Sequence, residues 1–306
     1  MGQNSAQAQS KPVGDPDWGG ETLLAGVRVR GYTGLMALEV ILVDYARDPL
    51  NKLYGAYRTC YTPKTPGEVW GEIRDGRIPP EKIREFVQER LRTGHASPLE
   101  QVVFWFGISG VSRALSHQFV RHRVGISFEQ QSQRYVRYRE ERLDYIMPKT
   151  WDKAGMGDAY DRLMREITRV YEEALSKGIP AEDARFVLPN ATPTNFQVMV
   201  NFTELLHIAD LRLCWRAQWE IRHMVALMRR EVMRAAPELG SHLQPKCGDK
   251  RMGYCDEPRK EWERCPLGKV RPHKEQILEV FREHRAQNLV PLGEEQIRAV
   301  EDAEGE

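Results

Sequence analysis

The sequence lacks features that a membrane protein or a general nucleic-acid binder needs. No apolar run approaches the roughly 18 residues that span a bilayer, and residues 1–20 contain no apolar stretch typical of a signal peptide. Lysine and arginine total 45 against 44 aspartate and glutamate, a formal net charge of +1, whereas a non-specific nucleic-acid binder is usually far more basic. We therefore expect a cytoplasmic protein that binds neither membrane nor nucleic acid.

Two further absences concern cofactor sites and crosslinks. No glycine-rich dinucleotide fingerprint follows a predicted strand, so an ordinary Rossmann flavin site is not supported. The five cysteines are odd in number and widely spread over 306 residues, which argues against a disulfide framework. A Cys3His zinc site in the tail fits in ligand count but lacks the short paired spacing of such sites; its ligands would be Cys247, Cys255, Cys265 and His273. We expect free thiols there and no metal.

The remaining sequence divides into three parts. Residues 1–20 are polar and not periodic, which predicts a disordered arm. Residues 21–240 carry the periodic apolar segments of a folded domain, beginning with a weak strand at Leu24–Val29 and a buried helix at Leu35–Val43. Residues 241–306 form a C-terminal extension, and the weak helical pattern after Lys274 does not indicate its role.

Apolar periodicity predicts the elements of the central part. The β-branched and aromatic run Val102–Ile108 is typical of a strand buried on both faces in the middle of a sheet, and Thr192–Phe202 is a second candidate strand. Helical spacing predicts four helices; they span Glu81–Arg92, Val111–Arg121, Trp151–Lys177 and Thr203–Met233, the last with a bend near Leu213–Trp215.

The strongest local signal is a basic loop, Arg121–Tyr135, with the sequence RHRVGISFEQQSQRY. Guanidinium groups bind phosphate bidentately, while serine and glutamine side chains fix the edge of a polar ring. Repulsion from Arg121 and Arg123 should keep His122 neutral. Composition alone nevertheless favours a plainer alternative, a solvated basic loop at a helix C-terminus.

This loop resembles that of the flavin-dependent thymidylate synthases, which carry RHR, a spacer and S-x-R-Y. Here RHR is Arg121–Arg123 and SQRY is Ser132–Tyr135. Three further segments match the family in order: GHASPLE at Gly94–Glu100, ARFVLP at Ala184–Pro189 and NFTELLH at Asn201–His207. The spacer is one residue longer than is usual, so the alignment within residues 124–131 stays open, with Gln130 preferred to Glu129.

The resemblance implies a fold, an activity and a set of ligands. The fold is α+β, a central mostly antiparallel β-sheet flanked by helices, with a long helical C-terminal half. The activity is reductive methylation of dUMP to dTMP, with 5,10-methylenetetrahydrofolate as carbon donor and NADPH as reductant through FAD. The family is homotetrameric, and its active sites are shared between subunits. Residues 21–240 would then be the catalytic domain.

The resemblance also implies roles for individual residues. Arg212 would activate the uracil ring by stabilising negative charge that develops on its N3–C4 amide. The implied dUMP-binding residues are Gln118, Arg121, Gln130, Ser132, Gln133, Arg134, Arg185 and Arg212. The implied FAD-binding residues are Ser97, Arg121, His122, Arg123, Gln130, Asn201, Thr203 and His207. His95 would lie near the folate or nicotinamide entrance.

Several alternatives remain beside these roles. Arg212 could be a helix-surface arginine paired with Asp210 or Glu220, and His207 could be a core histidine. A cysteine nucleophile is not supported, because Cys60 and Cys214 lack the motif context of one. Ser132 has no evident base partner, so we expect binding rather than covalent catalysis from it. An RNA-binding or nucleotide-sensing protein could use the same loop without chemistry, although the near-neutral net charge counts against it.

Overall fold

A four-stranded antiparallel sheet lies at the centre of the computed structural model, which describes residues 38–136, 145–268 and 270–286. The strand order is β1-β2-β4-β3; the strands are β1 (Glu39–Tyr45), β2 (Val103–Ser112), β3 (Ile126–Gln130) and β4 (Pro193–Asn201). The long β2–β4 pairing runs from Val103 opposite Asn201 to Ser112 opposite Pro193, with one register shift between Ile108 and Val111. The two predicted central strands and the antiparallel sheet are thereby confirmed.

Helices cover one face of this sheet. Phe104, Phe106 and Ile108 of β2 point into the core, and α9 packs against that core through residues such as Ile221 and Met224. The helices are α1 (Pro49–Tyr61), α2 (Pro66–Arg74), α3 (Pro80–Arg90), α4 (Arg113–Phe119), α5 (Lys149–Lys153), α6 (Gly157–Ser176), α7 (Ala181–Ala184), α8 (Phe202–Arg212), α9 (Trp219–Ala235), α10 (Pro237–Gly240), α11 (Arg259–Arg264) and α12 (Lys274–Ala286).

The opposite face of the sheet stays open in the single chain. The alternate residues of β2, including Trp105 and Gly107, are only half-buried, and Ile41 and Val43 of β1 are each 51% exposed. The prediction that the β2 run is buried on both faces is therefore wrong for the described residues of one chain, although β2 does lie in the middle of the sheet. Its residues alternate because only one layer of helices covers it.

Other predicted elements differ from the structure in instructive ways. The helix predicted at Leu35–Val43 is wrong, because from Glu39 onward the chain is β1 and pairs with β2. The helix predicted at Trp151–Lys177 is interrupted between α5 and α6, where Gly155 adopts φ 70°. The predicted bend near Leu213–Trp215 is a full break, since residues 213–218 separate α8 from α9. The expected arm at 1–20, the strand at 24–29 and the chain from 287 onward lie outside the described residues.

Candidate functional site

Three hydrogen-bonded polar side chains, buried or half-buried, join the start of the basic loop to helix α8. The Nε of Arg212, at the last residue of α8, donates to Nε2 of His122 at 3.1 Å. The other ring nitrogen of His122, Nδ1, lies 2.8 Å from Oε1 of Glu204. A second bond runs from Nη2 of Arg212 to the backbone oxygen of Gln118 at 3.4 Å. His122 and Glu204 are only 5% and 7% exposed, so this geometry is fixed inside the protein.

Local chemistry places these residues. Asn201 caps α8, because its side-chain oxygen accepts from the backbone N–H of Glu204 at 2.9 Å. The backbone N–H of Asn201 donates to the backbone oxygen of Gly125 at 2.7 Å. Gly125 has φ 70°, and a Cβ there would overlap the Asn201 side chain. Only glycine fits this contact. The spacer glycine of the basic loop thus fits against the start of the helix that carries Arg212.

The electrostatics favour a neutral imidazole between two charged groups. Burial, together with the Arg212 guanidinium and the His207 imidazole, lowers the pKa of His122 to about 4. Burial raises the pKa of the Glu204 carboxyl. The expected neutral state of His122 agrees with this direction, but the reason given for it needs correcting, since Arg121 and Arg123 are exposed and the acting cation is Arg212.

The basic loop itself continues from a strand that the sequence did not predict. Residues 126–130 form β3, which pairs with β4 along Ile126 opposite Val200 to Gln130 opposite Phe196. Strand alternation puts Glu129 on the exposed side, while Gln130 is half-buried and its Nε2 donates to the Thr194 hydroxyl at 3.2 Å. The choice of Gln130 over Glu129 as a ligand residue stays a prediction.

The far end of the loop is exposed and meets the segment around Glu182. Nε of Arg134 donates to Glu182 at 3.0 Å, with about half of each side chain exposed (51% and 50%). Nε of Arg185 donates to the Glu182 backbone oxygen at 3.0 Å. The Ser132 hydroxyl accepts from the Arg134 amide at 3.2 Å, and Gln133 between them is half-buried. Two guanidinium groups from distant parts of the sequence thus bond to Glu182, Arg134 to its carboxylate and Arg185 to its backbone oxygen.

The other expected ligand residues are distributed as follows. His207 is exposed, with its ring 5.7 Å from that of His122. The buried Thr203 hydroxyl oxygen has no hydrogen-bond partner among the described residues. Ser97 begins the short 3₁₀ turn before β2, which packs against α8, and it lines a cavity of ≈ 560 Å³ with Trp70 and Gln101. His95 accepts or donates at Nδ1 with the Tyr61 hydroxyl, 2.9 Å away.

The plainer pairing of Arg212 with a neighbouring acid is wrong. Asp210 instead accepts a hydrogen bond from Nε of Arg251 at 2.7 Å. Glu220 accepts one from the backbone N–H of Ser112 at 2.7 Å. Both carboxylates are thereby used elsewhere. Arg212 is half-buried and directed to His122, which is unusual for a surface arginine.

Sequence reasoning missed Glu204. Its position three residues after the cap Asn201 is that of a capping-box glutamate, which would turn back to the cap amide. The structure instead turns its side chain to His122, 82 positions away in the sequence. Only a tertiary contact distinguishes the two uses, so the pattern alone offered no signal for a role in the site.

The tail thiols do not form the Cys3His arrangement considered from sequence. Nε2 of His273 donates to the Glu257 oxygen at 2.7 Å, and its Nδ1 accepts from the Glu275 amide at 3.4 Å. In residues 38–136, 145–268 and 270–286, no three histidine, cysteine or acidic side chains are arranged to hold a metal ion. Burial and neighbouring thiols raise the pKa of Cys247. The described part of the chain also contains no helix long and apolar enough to cross a membrane.

A half-buried guanidinium bonded to the histidine of an exposed basic loop is typical of enzyme sites that take an anion, and comparison with known proteins gives the family. The profile described as "Thymidylate synthase complementing protein" matches residues 41–238. A flavin-dependent thymidylate synthase from Nitratidesulfovibrio vulgaris is 39% identical over 227 residues, covering 71% of this chain and 91% of that one. One from Geobacter sulfurreducens is 37% identical over 211 residues, covering 69% and 88%. The chain belongs to the family of flavin-dependent thymidylate synthases.

A solved structure shares the fold. The crystal structure of a UMP/dUMP methylase, PolB from Streptomyces cacaoi, bound with 5-Br dUMP, superposes with a TM-score of 0.55 at 22% identity, covering 67% of this chain and 93% of that one. The α+β fold expected from the resemblance is confirmed, as is the expectation that the chain is an enzyme of this family.

Proposed function

We propose that this enzyme converts dUMP to dTMP by reductive methylation, with 5,10-methylenetetrahydrofolate as carbon donor, NADPH as reductant and FAD as cofactor. The observation that carries the proposal is the Arg212 guanidinium, held through His122 at the end of α8 with further donors left for a ligand. Its relatives carry the name of this activity, and the PolB structure holds a dUMP analogue.

Arg212 has the chemistry that the carbon-transfer step needs. Carbon 5 of uracil is a poor nucleophile in the neutral ring and improves as negative charge grows on the N3–C4 amide. A guanidinium fixed beside that edge stabilises the charge as it develops. Because burial lowers the pKa of Arg212 only from a very high ordinary value, the group stays cationic at neutral pH.

The exposed end of the site suits the phosphate of dUMP. Arg134 bonds to the Glu182 carboxylate and Arg185 to the Glu182 backbone oxygen, and an incoming phosphate dianion competes with the carboxylate for the fork of Arg134. Arg121, Ser132 and the backbone at Gln133 complete the proposed phosphate cradle. Gln118 and Gln130 then remain to bind the uracil edge through their amides.

The residues present also fit a flavin. The buried Thr203 hydroxyl without a partner calls for an acceptor or donor from outside the described chain, and His207 exposes its ring beside it. We propose that Thr203, His207, Asn201, Arg123 and His122 hold FAD, with Arg121, Gln130 and Ser97 also in contact. When bound, the flavin supplies the reducing equivalents; the protein residues orient it and shield it from water.

The open face of the sheet supports a homotetramer with shared sites. Ile41 and Val43 are each 51% exposed on that face, and exposed apolar side chains on a sheet favour burial against a partner. We propose that the subunits associate through this face and share their active sites. We further propose that residues 21–240 are the catalytic domain, 241–306 an extension, and that the enzyme works in the cytoplasm.

The test is the colour and chemistry of the purified protein. We expect yellow protein whose flavin absorbance bleaches under anaerobic conditions with NADPH and dUMP, and which forms dTMP once the folate is added. Protein that stays colourless and takes up no FAD would refute the proposal. Flavin reduction without any dTMP would leave a flavin reductase and refute the methylation step.

A further inference from the structure

Glu204 is a buried carboxylate that the matched family motifs leave without a role. It is 7% exposed in the first turn of α8, and a carboxylate loses solvation on burial unless hydrogen bonds replace the water. Its backbone amide is bonded by the helix cap, Asn201. Its side chain makes a different bond, from Oε1 to Nδ1 of His122 at 2.8 Å. The cost of burying Glu204 is therefore offset at His122.

Arg212 fixes which atom donates in each hydrogen bond of the Arg212–His122–Glu204 series. Nε of Arg212 can only donate, so Nε2 of His122, 3.1 Å away, must accept. The ring proton then lies on Nδ1 and is donated to Glu204. In this arrangement a carboxylate sets the tautomer of a histidine, and the second ring nitrogen is left to accept a hydrogen bond from another group.

Packing removes the other freedoms of the imidazole. Its ring lies edge-on to Phe119, with centroids 6.2 Å apart, and to His207, at 5.7 Å. Packing does not fix which ring nitrogen carries the proton; the hydrogen bond to Glu204 does. A proton on Nε2 would face the N–H of Arg212, and two donors facing each other would push the guanidinium away.

We infer that Glu204 is a positioning residue that acts through His122 to hold the Arg212 guanidinium at the orientation required for uracil activation. The inference rests on the proposed function, in which Arg212 stabilises charge on the ring. The bond from Nη2 to the Gln118 oxygen at 3.4 Å fixes the plane of the guanidinium, and the bond to His122 fixes its rotation. The remaining donors then point consistently at a ligand.

A second buried glutamate provides a matched control. Glu220 is 2% exposed, and burial raises the pKa of its carboxyl as it does for Glu204. It accepts from the amide and hydroxyl of Ser112, at the N-terminus of α4. Replacing Glu220 therefore reproduces the loss of a buried, hydrogen-bonded carboxylate without touching His122.

The experiment compares Glu204→Gln, Glu204→Leu and Glu220→Gln in the FAD-loaded full chain. For Glu204→Leu we expect kcat for dTMP formation to fall roughly 10- to 100-fold, the range for loss of a group that orients a functional histidine, with KM for dUMP and FAD content within about twofold. Glu204→Gln should recover part of the loss, because its amide oxygen still accepts from Nδ1–H. Glu220→Gln should keep kcat even where Tm falls.

Each outcome has a defined reading. Wild-type kcat in both Glu204 variants overturns the inference, as does an equal drop in kcat and Tm for Glu204→Gln and Glu220→Gln, which marks a structural role only. If Glu204→Leu does not fold, the isosteric Glu204→Gln decides alone: lower kcat at unchanged Tm supports the inference, and unchanged kcat overturns it. Absence of dTMP from the wild-type enzyme refutes the proposed function itself, before any variant is compared.

Discussion

The two ends of the candidate site are prepared to different degrees. At the inner end, His122 and Glu204 are almost fully buried, and the bonds that fix Arg212 are complete within one chain. At the outer end, the side chain of Arg134 is 51% exposed and Tyr135 is 79% exposed. Buried polar groups must find partners inside the protein, whereas exposed ones exchange water for a ligand at little cost. The inner end is therefore arranged before a ligand binds, and the outer end is shaped by it.

The largest effect that separates the two ends is expected for Arg212→Ala. Loss of one charge-stabilising group lowers kcat by about 10²- to 10³-fold, or roughly 2.7–4 kcal/mol. FAD content should stay near that of the wild type, because flavin contacts are assigned to other residues. Steady-state dTMP formation and flavin absorbance check both points. Turnover close to that of the wild type would remove Arg212 from the catalytic role.

A backbone contact ties the inner end to the loop, and Gly125→Val should break it. The φ of 70° and the overlap of any Cβ with Asn201 both oppose a side chain there, so we expect a loss of roughly 2–4 kcal/mol in the free energy of unfolding. Gly76→Ala is the control, since Gly76 has φ 67° but nothing within 4 Å; it should cost about 1–2 kcal/mol. Equal losses in chemical denaturation would show that the Asn201 contact is unimportant.

Acid should destabilise the folded protein through the buried imidazole of the inner end. The pKa of His122 is lowered from 6.5 to about 4, so between these values the unfolded chain binds a proton that the folded chain refuses. This contribution to stability is fully present above pH 6.5 and is lost as the pH falls through 4, by about 3.5 kcal/mol in all at about 1.4 kcal/mol per pKa unit. Burial likewise lowers the pKa of His242 to about 4, so both histidines contribute to the loss of folding stability in acid.

Denaturation curves between pH 4 and 7 measure this loss. His122→Gln should flatten the pH dependence of the unfolding free energy, and His242→Gln should flatten it separately. The exposed His117 provides the control, since His117→Gln should leave the slope as in the wild type. An unchanged slope in His122→Gln would contradict a neutral, buried imidazole.

The smallest effect on stability is expected at the outer end, for Arg134→Gln. An ion pair with about half of each side chain exposed contributes little, so the free energy of unfolding should change by less than about 0.5 kcal/mol. KM for dUMP should nevertheless rise about tenfold or more, because a charge-assisted bond to phosphate contributes roughly 1.5–3 kcal/mol. A large fall in Tm with an unchanged KM would assign Arg134 to the fold instead of the ligand.

How much of this could be predicted depended on whether the signal was local. The runs that became β2 and β4 carry their β-branched pattern within one segment, and Asn201 precedes an apolar helix as a cap should. By contrast, β3 is a short, polar-ended strand that exists through its pairing with β4, so the spacer looked like a loop. The run Leu35–Val43 was misassigned because a short apolar stretch fits helix and strand equally.

The site was predictable to the same extent. Motif matches pointed to the residues of both ends, and the structure shows Arg212 and His122 in direct contact. The link to Glu204 could not be predicted, since it joins residues 82 positions apart and its local pattern favours a cap. The roles assigned to the ligand residues, including Ser97 and Arg185, stay predictions.

The most direct test of the division between the two ends is the affinity of the FAD-loaded enzyme for dUMP, measured by calorimetric titration in Arg134→Gln and Arg212→Ala. If the outer end binds and the inner end activates, Arg134→Gln should raise the Kd about tenfold or more, while Arg212→Ala should raise it far less and still abolish most turnover. The opposite pattern, with dUMP affinity lost at Arg212 and kept at Arg134, would contradict the account.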